Sequence, residues 1–517
     1  MVNSPYSKES VRQGILHYLL GRGLAGIAGF ATVILLVRYM DVQSYAGFTA
    51  LTGVIVLAGI FAGLGLERAI SRYIPEARLE RSAKELGDFI WRITAIRLIA
   101  AIIICLIFYM LWQPLLQIFS DVHLVKFPIT LVCFVVAETL FQHFSSVLQA
   151  LIKQKALTRI LIVQWAGRLA MIFWALLTNN HISLEESLWI MALPEMAGVL
   201  VFIVVIMKYL YALQQAEKTV KPVQKTDLTT WPDWHAIVKM AGNNYGFTLL
   251  AAPPQGYFMK MLAAVFLPTQ MVAAYGFFIS IAEKTRQYIP LHLLYNLIEP
   301  VMIGNYLQNP DFATLNHRCQ LLYKSNLMLL IPLLAWIAAA GTFIIASLTG
   351  GKYQEYVWLL MVVMLQLTVG SHVVLLQLIL NSVGASILLV RAGFFALIGM
   401  AVFWSVAMFI NIQLIVIGPL VFSLTCNAYI IHALKHKGYQ YKLSWQLFAG
   451  ASISGFIAFL IVFMSFNQSF ISVYPPLVMT ILSAAFIAII YLVSLYFFKA
   501  VHLNEIRLVK SFISRNS

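Results

Sequence analysis

Charged side chains stand inside long, otherwise apolar runs of this 517-residue chain: Arg22, Arg92, Arg97, Arg168, Glu138, Glu195 and the group Glu283-Lys284-Thr285-Arg286. At the centre of a bilayer such a charge costs roughly 2.5–3.5 kcal/mol on insertion scales, so each needs a partner, a wet cavity or a ligand. Arg22 lies in the glycine-rich stretch Gly21–Gly26. Its guanidinium could fork onto phosphate oxygens or snorkel along its stem to the headgroups. Glu283 and Arg286 are three residues apart, so they share a helix face and can neutralise each other until a phosphate competes for Arg286, with Lys284 alongside. The alternative is that the helix ends there in water. Arg68 and Arg72, four apart, form a cationic pair suited to catching a diphosphate or to anchoring against headgroups. Arg92 and Arg97 fit snorkelling, whereas Arg168 is near mid-run, with Glu138 a candidate partner.

A second set could carry a proton or coupling ion: Glu138 with His143 five residues later, then Glu67, Glu195, Glu283 and His372. The bland alternative for each is a hydrogen bond between helices. Asn243 and Asn244 precede Pro253-Pro254, which should kink their helix; interrupted helices are where transporters often bind or hinge. Cys105, Cys133, Cys319 and Cys426 lie far apart with no CxxC or metal-ligand spacing. No nucleophile constellation, metal site or phosphate-binding loop is legible, so neither enzyme chemistry nor a cofactor is expected.

The elements that must position these residues follow from composition. The chain is 61% hydrophobic and 11% charged, against roughly 45–50% and about 25% for soluble proteins. That predicts an all-α polytopic membrane protein. A ruler of about 20 apolar residues per span gives fourteen expected spans: 15–37, 45–66, 89–112, 127–148, 157–177, 188–209, 236–259, 271–293, 327–348, 357–380, 387–410, 414–434, 445–466 and 477–498. The polar opening residues 1–14 lack a signal-peptide layout, so the first span is expected to be retained. With the N-terminus placed inside, only Arg38, Lys126, Lys260 and Lys352 among the loop cations fall outside. This bias puts both termini in the cytoplasm. The net charge of +15 then reads as basic loops against anionic phospholipids, not as a nucleic-acid surface.

The expected organisation is an N-terminal lobe over 1–210, a basic cytoplasmic linker over 211–235, a C-terminal lobe over 236–434, and a terminal helix pair with a basic tail over 435–517. The turns 39–51 and 266–280 echo each other, as a parallel repeat of two lobes would. The longest segment outside the spans is expected inside, between Gly304 and Ser325. No such segment is long enough for a catalytic domain.

The run Leu36–Arg78 carries a resemblance, through Arg38-Tyr-Met, Tyr45-Ala-Gly-Phe48 and Gly63-Leu-Gly-Leu-Glu-Arg-Ala-Ile-Ser-Arg-Tyr-Ile-Pro75. Together with the layout of six spans, basic linker, six spans and a terminal pair, it resembles the polysaccharide transporter family, the oligosaccharide flippases of the multidrug/oligosaccharidyl-lipid/polysaccharide exporter superfamily. The resemblance implies two six-helix lobes around a central cavity and transport by alternating access. It also implies a bacterial inner-membrane location and an undecaprenyl-diphosphate-type lipid-linked oligosaccharide as substrate. Glycosyltransferases and a polysaccharide polymerase would be functional neighbours, and a monomer is expected. The substrate would meet Arg22, Arg68, Arg72, Arg168, Lys284, Arg286, Asn243 and Asn244. Two rivals are a drug or metabolite exporter of the same superfamily, with an acidic and aromatic cavity, and a membrane polysaccharide polymerase or ligase, which the short outer loops disfavour.

Overall fold

A computed structural model describes residues 8–118, 129–219, 233–441, 443, 445–465 and 474–498. The middle of the expected linker, residues 220–232, and the tail 499–517 lie outside them, as do several side chains, Arg22 and Asn243 included. Among the described residues the regular structure is helical, without strands. The first helices are α1 (Lys8–Tyr39), α2 (Val42–Gly63), α3 (Leu66–Glu80), α4 (Ala83–Met110), α5 (Trp112–Ile118), α6 (Ile129–Ala150), α7 (Gln154–Asn179) and α8 (Leu184–Thr219). Next come α9 (Trp234–Leu250), α10 (Gly256–Phe266), α11 (Thr269–Arg286), α12 (Pro290–Gln308) and α13 (Phe312–Thr349). The last are α14 (Val357–Ser382), α15 (Ile387–Ile410), α16 (Gly418–His436), α17 (Trp445–Ser465) and α18 (Pro476–Phe497).

Among the described residues, eleven helices are long and apolar enough to cross a membrane. Three further expected spans take other forms. The first is α1, whose described apolar part is Gly23–Tyr39. The seventh breaks into α9 and α10 at the expected place, because Pro253 and Pro254 lack the N–H groups that a continuous helix needs. The eighth, expected to reach Leu293, stops at Arg286. Pro290 explains that stop: it disfavours helical backbone in the residue before it and occupies the first turn of α12. Consequently Glu283, Lys284 and Arg286 sit in the last turn of α11. The expected inside segment 304–325 is mostly helix, since α13 begins at Phe312, capped by Asp311.

The chain forms two compact units, Met1–Ala273 and Ala274–Ser517. In the first, α6 packs on α8, α7 on α1, and α2 on α6 and α10. Its core is aromatic at the centre, with Phe141 and Phe202 edge to face at 5.0 Å and Phe144 tilted against Phe202. In the second, α13 packs on α14, α17 and α18, and α15 on α16. Long apolar side chains face outward on several helices, among them Ile99, Ile102, Ile103 and Leu106 of α4 and Ile481, Phe486, Ile489 and Leu492 of α18. Such exposure suits hydrocarbon, not water.

A sharp bend separates α2 from α3. Leu64 and Gly65 both take left-handed backbone, at φ 49° and 69°. Gly65 also admits the α9 backbone: a Cβ there would lie 2.2 Å from the Ala241 carbonyl oxygen. Gly53 has the same role within α2, where a Cβ would meet the Tyr257 carbonyl oxygen of α10 at 2.6 Å. The bend starts an amphipathic α3, which buries Ala69, Ile70, Tyr73, Ile74 and Ala77 and leaves Arg68, Ser71 and Arg72 exposed.

Candidate functional site

The first unit brings together charged side chains from five helices, three of them buried: Arg97, Arg168 and Glu195. On α7, Arg168 is 3% exposed and sits over the Trp165 ring, with its guanidinium carbon 4.3 Å from the ring centroid. Its Nη2 donates to Oε1 of Glu195 on α8, in a salt bridge between two buried side chains, and to the Met191 carbonyl at 3.4 Å. Gln164, one turn before Arg168, donates to the same Glu195 oxygen at 3.3 Å. Pro194 precedes Glu195 inside α8. Lacking an N–H, it removes the bond to the carbonyl four residues back and loosens this turn of helix.

Glu138 of α6 completes the group. Its carboxyl accepts from Gln142 Nε2 at 2.5 Å, and its charge is felt by Glu195. Its charge is also felt by Arg97 of α4. Arg97 is fully buried and approaches Glu67 of α3 at 2.7 Å, a charge contact in which its Nη1 hydrogens are not aligned for a hydrogen bond. His143, buried on α6, shares a 2.8 Å hydrogen bond with Thr94 of α4. Thus Glu67, Arg97, Glu138, Arg168 and Glu195 join in one network, and the carboxylate that Arg168 binds is Glu195, not the Glu138 that its sequence position suggested. An acid directly after a proline in the apolar run Leu188–Val201 was the available signal. Thr94, Gln142 and Gln164 gave none, because uncharged polar residues are common at helix interfaces.

The other candidates are scattered. Arg22 lies on α1 and Asn243 on α9, with side chains outside the described residues. Asn244 Nδ2 donates to the Gly65 carbonyl at 3.3 Å, tying α9 to the α2–α3 bend. Arg68 and Arg72 are exposed, Arg72 against the neighbouring Tyr73 ring at 5.6 Å. Arg92 and Arg286 are exposed, and Glu283 and Lys284 half-buried. His372 of α14 is buried against Tyr323 and hydrogen-bonds the Tyr441 hydroxyl at 2.7 Å. A second polar cluster, not singled out from the sequence, joins α12 to α14: Glu299 of α12 accepts from Tyr295 at 2.8 Å and from Asn381 of α14 at 2.6 Å. Among the described residues no group of three or more His, Cys, Asp or Glu is arranged to hold a metal.

Among the groups outside the spans, Asp41 and Lys153 have shifted acidities. Burial alone would raise Asp41, but hydrogen bonds from Ser44 and the nearby His181 outweigh it and hold its carboxyl below the ordinary value. Burial and the Arg78 charge push Lys153 down, where it lies 4.4 Å over the Tyr209 ring.

The chain resembles several known proteins in fold. It is similar in fold to the lipid II flippase MurJ in an inward closed conformation, with a TM-score of 0.67 at 10% identity, covering 93% of this chain and 98% of that one. It is similar to a point mutant of the Vibrio cholerae MATE transporter VcmN, with a TM-score of 0.52 at 16% identity, covering 84% and 99%. It also resembles an inward-facing multidrug resistance MATE family transporter of the MOP superfamily, with a TM-score of 0.54 at 14% identity, covering 82% and 99%. No curated protein matches it in sequence. At these identities the likeness concerns the fold, a multi-pass membrane transporter fold. Residues 11–283 match the model of the family described as "Polysaccharide biosynthesis protein", and the chain belongs to that family.

Proposed function

We propose that this protein is a flippase of the bacterial inner membrane that moves a lipid-linked oligosaccharide, of undecaprenyl-diphosphate type, from the cytoplasmic to the outer leaflet. The observation that carries the reading is the combination of a polysaccharide-biosynthesis family match over 11–283 with a fold shared with a lipid II flippase. The exposed cations Arg68 and Arg72 of α3 and Arg286 of α11 support it, being free of burial and suited to a diphosphate. Lys284, Asn244 and the side chains of Arg22 and Asn243 are further proposed contacts. Arg168 is engaged by Glu195, so it serves the buried network and not the headgroup. Transport proceeds by alternating access coupled to an ion, in a monomer, and its substrate and product connect glycosyltransferases to a polymerase.

The test is reconstitution in liposomes with a fluorescent undecaprenyl-diphosphate oligosaccharide, with flipping read by an impermeant reagent that modifies the outward headgroup. The wild type should expose the headgroup faster than empty liposomes. Arg286→Ala should lower the rate by about tenfold, the loss of one charge-assisted contact of roughly 1.5 kcal/mol, and the double variant Arg68→Ala/Arg72→Ala should lower it further. Headgroup exposure no faster than in empty liposomes, with export of a cationic dye instead, would reassign the protein to solute export.

A further inference from the structure

Two buried guanidiniums of the first unit are held in different ways. Arg168 meets a carboxylate as inaccessible as itself, and Gln164 donates to the same oxygen. Arg97 is as deeply buried, but the carboxylate that meets it, Glu67, keeps 44% of its side chain exposed. Among the described residues Glu67 is the one acid within ion-pair distance of Arg97. The contact joins a single carboxylate oxygen to Nη1 at 2.7 Å, without the alignment of a hydrogen bond. The Nε of Arg97 is also buried without a hydrogen-bond partner. A guanidinium carries five donors in a fixed fork. Arg97 is therefore a buried cation with unmet N–H groups and a partner that can leave.

The surroundings favour a second anion in the place of that partner. Glu67 stands in the first turn of α3, a helix end whose N–H groups attract negative charge. Facing the pair from α2 is Gly63, where a Cβ would lie 3.2 Å from the Glu67 carboxylate and 3.5 Å from Arg97 Nη2. From that position α2 places no side chain against the two charged groups. Arg68 follows Glu67 directly and Arg72 comes one turn later, both exposed. Against Arg97 the carboxylate offers one charge and one contacting oxygen. A diphosphate offers two or more charges, and its oxygens match the guanidinium fork. A displaced Glu67 is readily solvated, because nearly half of its side chain is already exposed.

We propose that Arg97 is a diphosphate-binding residue masked by Glu67, whose carboxylate the incoming anion displaces. Resting on the transport reading above, that anion is the headgroup of the lipid-linked substrate.

Inorganic pyrophosphate is the probe, titrated into the full chain in nanodiscs of zwitterionic lipid at fixed ionic strength. Binding is read by phosphorus NMR line broadening, and the wild type should bind saturably. Arg97→Gln should weaken binding about tenfold, the loss of one charge-assisted contact, and Glu67→Gln should strengthen it by about the same factor. A gain of affinity cannot come from a damaged fold, so Glu67→Gln keeps the test decisive if Arg97→Gln proves unstable. Unchanged affinity in Glu67→Gln overturns the proposal. In the double variant Glu67→Gln/Arg97→Gln the gain should vanish. A gain that persists there is a general effect of net charge and overturns the proposal as well. Undecaprenyl diphosphate incorporated into the wild-type nanodiscs should compete with pyrophosphate. Absence of competition overturns the assignment to a lipid headgroup. None of these readouts involves flipping, so a protein that binds as expected yet moves no lipid counts only against the proposed function.

Discussion

Arg97 of α4 and Glu67 of α3 meet at 2.7 Å with unequal exposure, the guanidinium side chain at 1% and the carboxylate at 44%. The contact sits against the α2–α3 bend, where a Cβ on Gly63 would lie 3.2 Å from the Glu67 carboxylate. The inequality makes the two halves of the pair energetically different. Glu67 without Arg97 can be solvated, whereas Arg97 without Glu67 is a stranded buried cation.

Glu67→Ala should therefore destabilise more than Arg97→Met. Breaking a fully buried pair costs about 3–5 kcal/mol; solvent screening of the half-exposed Glu67 brings the expected loss to on the order of 2 kcal/mol. Arg97→Met should stay within about 1 kcal/mol, since it removes the buried charge itself. The Glu138 charge also reaches Arg97, so adding Glu138→Gln to Glu67→Ala should cost more than the two changes separately. Thermal unfolding in one detergent ranks the variants, and a lower midpoint for Arg97→Met than for Glu67→Ala would contradict the asymmetry.

The glycines at helix crossings give a second prediction. Gly53→Ala pushes a methyl into the Tyr257 carbonyl, and Gly65→Ala combines a 2.2 Å clash with a left-handed φ of 69°. Overpacking typically costs about 1–3 kcal/mol, and Gly65→Ala should be the worse of the two because backbone strain adds to it. Gly246→Ala, on α9 with nothing within 4 Å, is the control and should be neutral or stabilise by up to about 1 kcal/mol. Equal melting points for Gly53→Ala and Gly246→Ala would show that α10 gives way without strain.

How much of this was legible varies from residue to residue. The helical membrane architecture was, because burial in lipid forces long apolar runs, and so was the break at Pro253–Pro254, where chemistry forbids a helical bond. The end of α11 at Arg286 had its signal in Pro290, although the apolar residues around it argued for continuation. The pairing of Arg168 with Glu195 was not legible. It depends on the rotation of α7 against α8, and a span offers several acids at similar depth. Glu299 with Asn381 was missed for a related reason: a carboxyl can be satisfied by amides and hydroxyls from a distant helix, which leave no charge pattern.

Asp41 predicts a pH response at the start of α2. Its side chain caps the helix by accepting from the Ser44 N–H at 2.8 Å, and His181 Nε2 lies 3.4 Å away. The folded carboxyl is held below its ordinary value. Its stabilisation is therefore present above the unfolded carboxyl value, about 3.9, and is lost as pH falls through the lower folded value. Asp41→Asn should keep the cap and flatten the acid limb of the melting-point profile. Asp41→Ala should lose the cap, about 1 kcal/mol, at neutral pH. An acid limb identical in wild type and Asp41→Asn would assign the response to another group.

Arg168 and Glu195 allow the sharpest test of the buried network, because both side chains are nearly inaccessible, at 4% and 3%. Replacing either alone leaves its partner charged or orphaned in an apolar interior, an effect of about 3–5 kcal/mol. Replacing both, as Arg168→Met with Glu195→Leu, removes the charges together and should recover most of that loss. The interaction energy from the cycle, the summed single losses less the loss of the double variant, should then exceed either single loss. Recovery ought to be incomplete, since Gln164 loses its acceptor and the Met191 carbonyl its donor. Circular dichroism melts of the four proteins in the same detergent provide the cycle. Additive losses would mean that the two residues act on stability through separate neighbours, whereas a double variant close to wild type would show that the pair is kept for something other than stability.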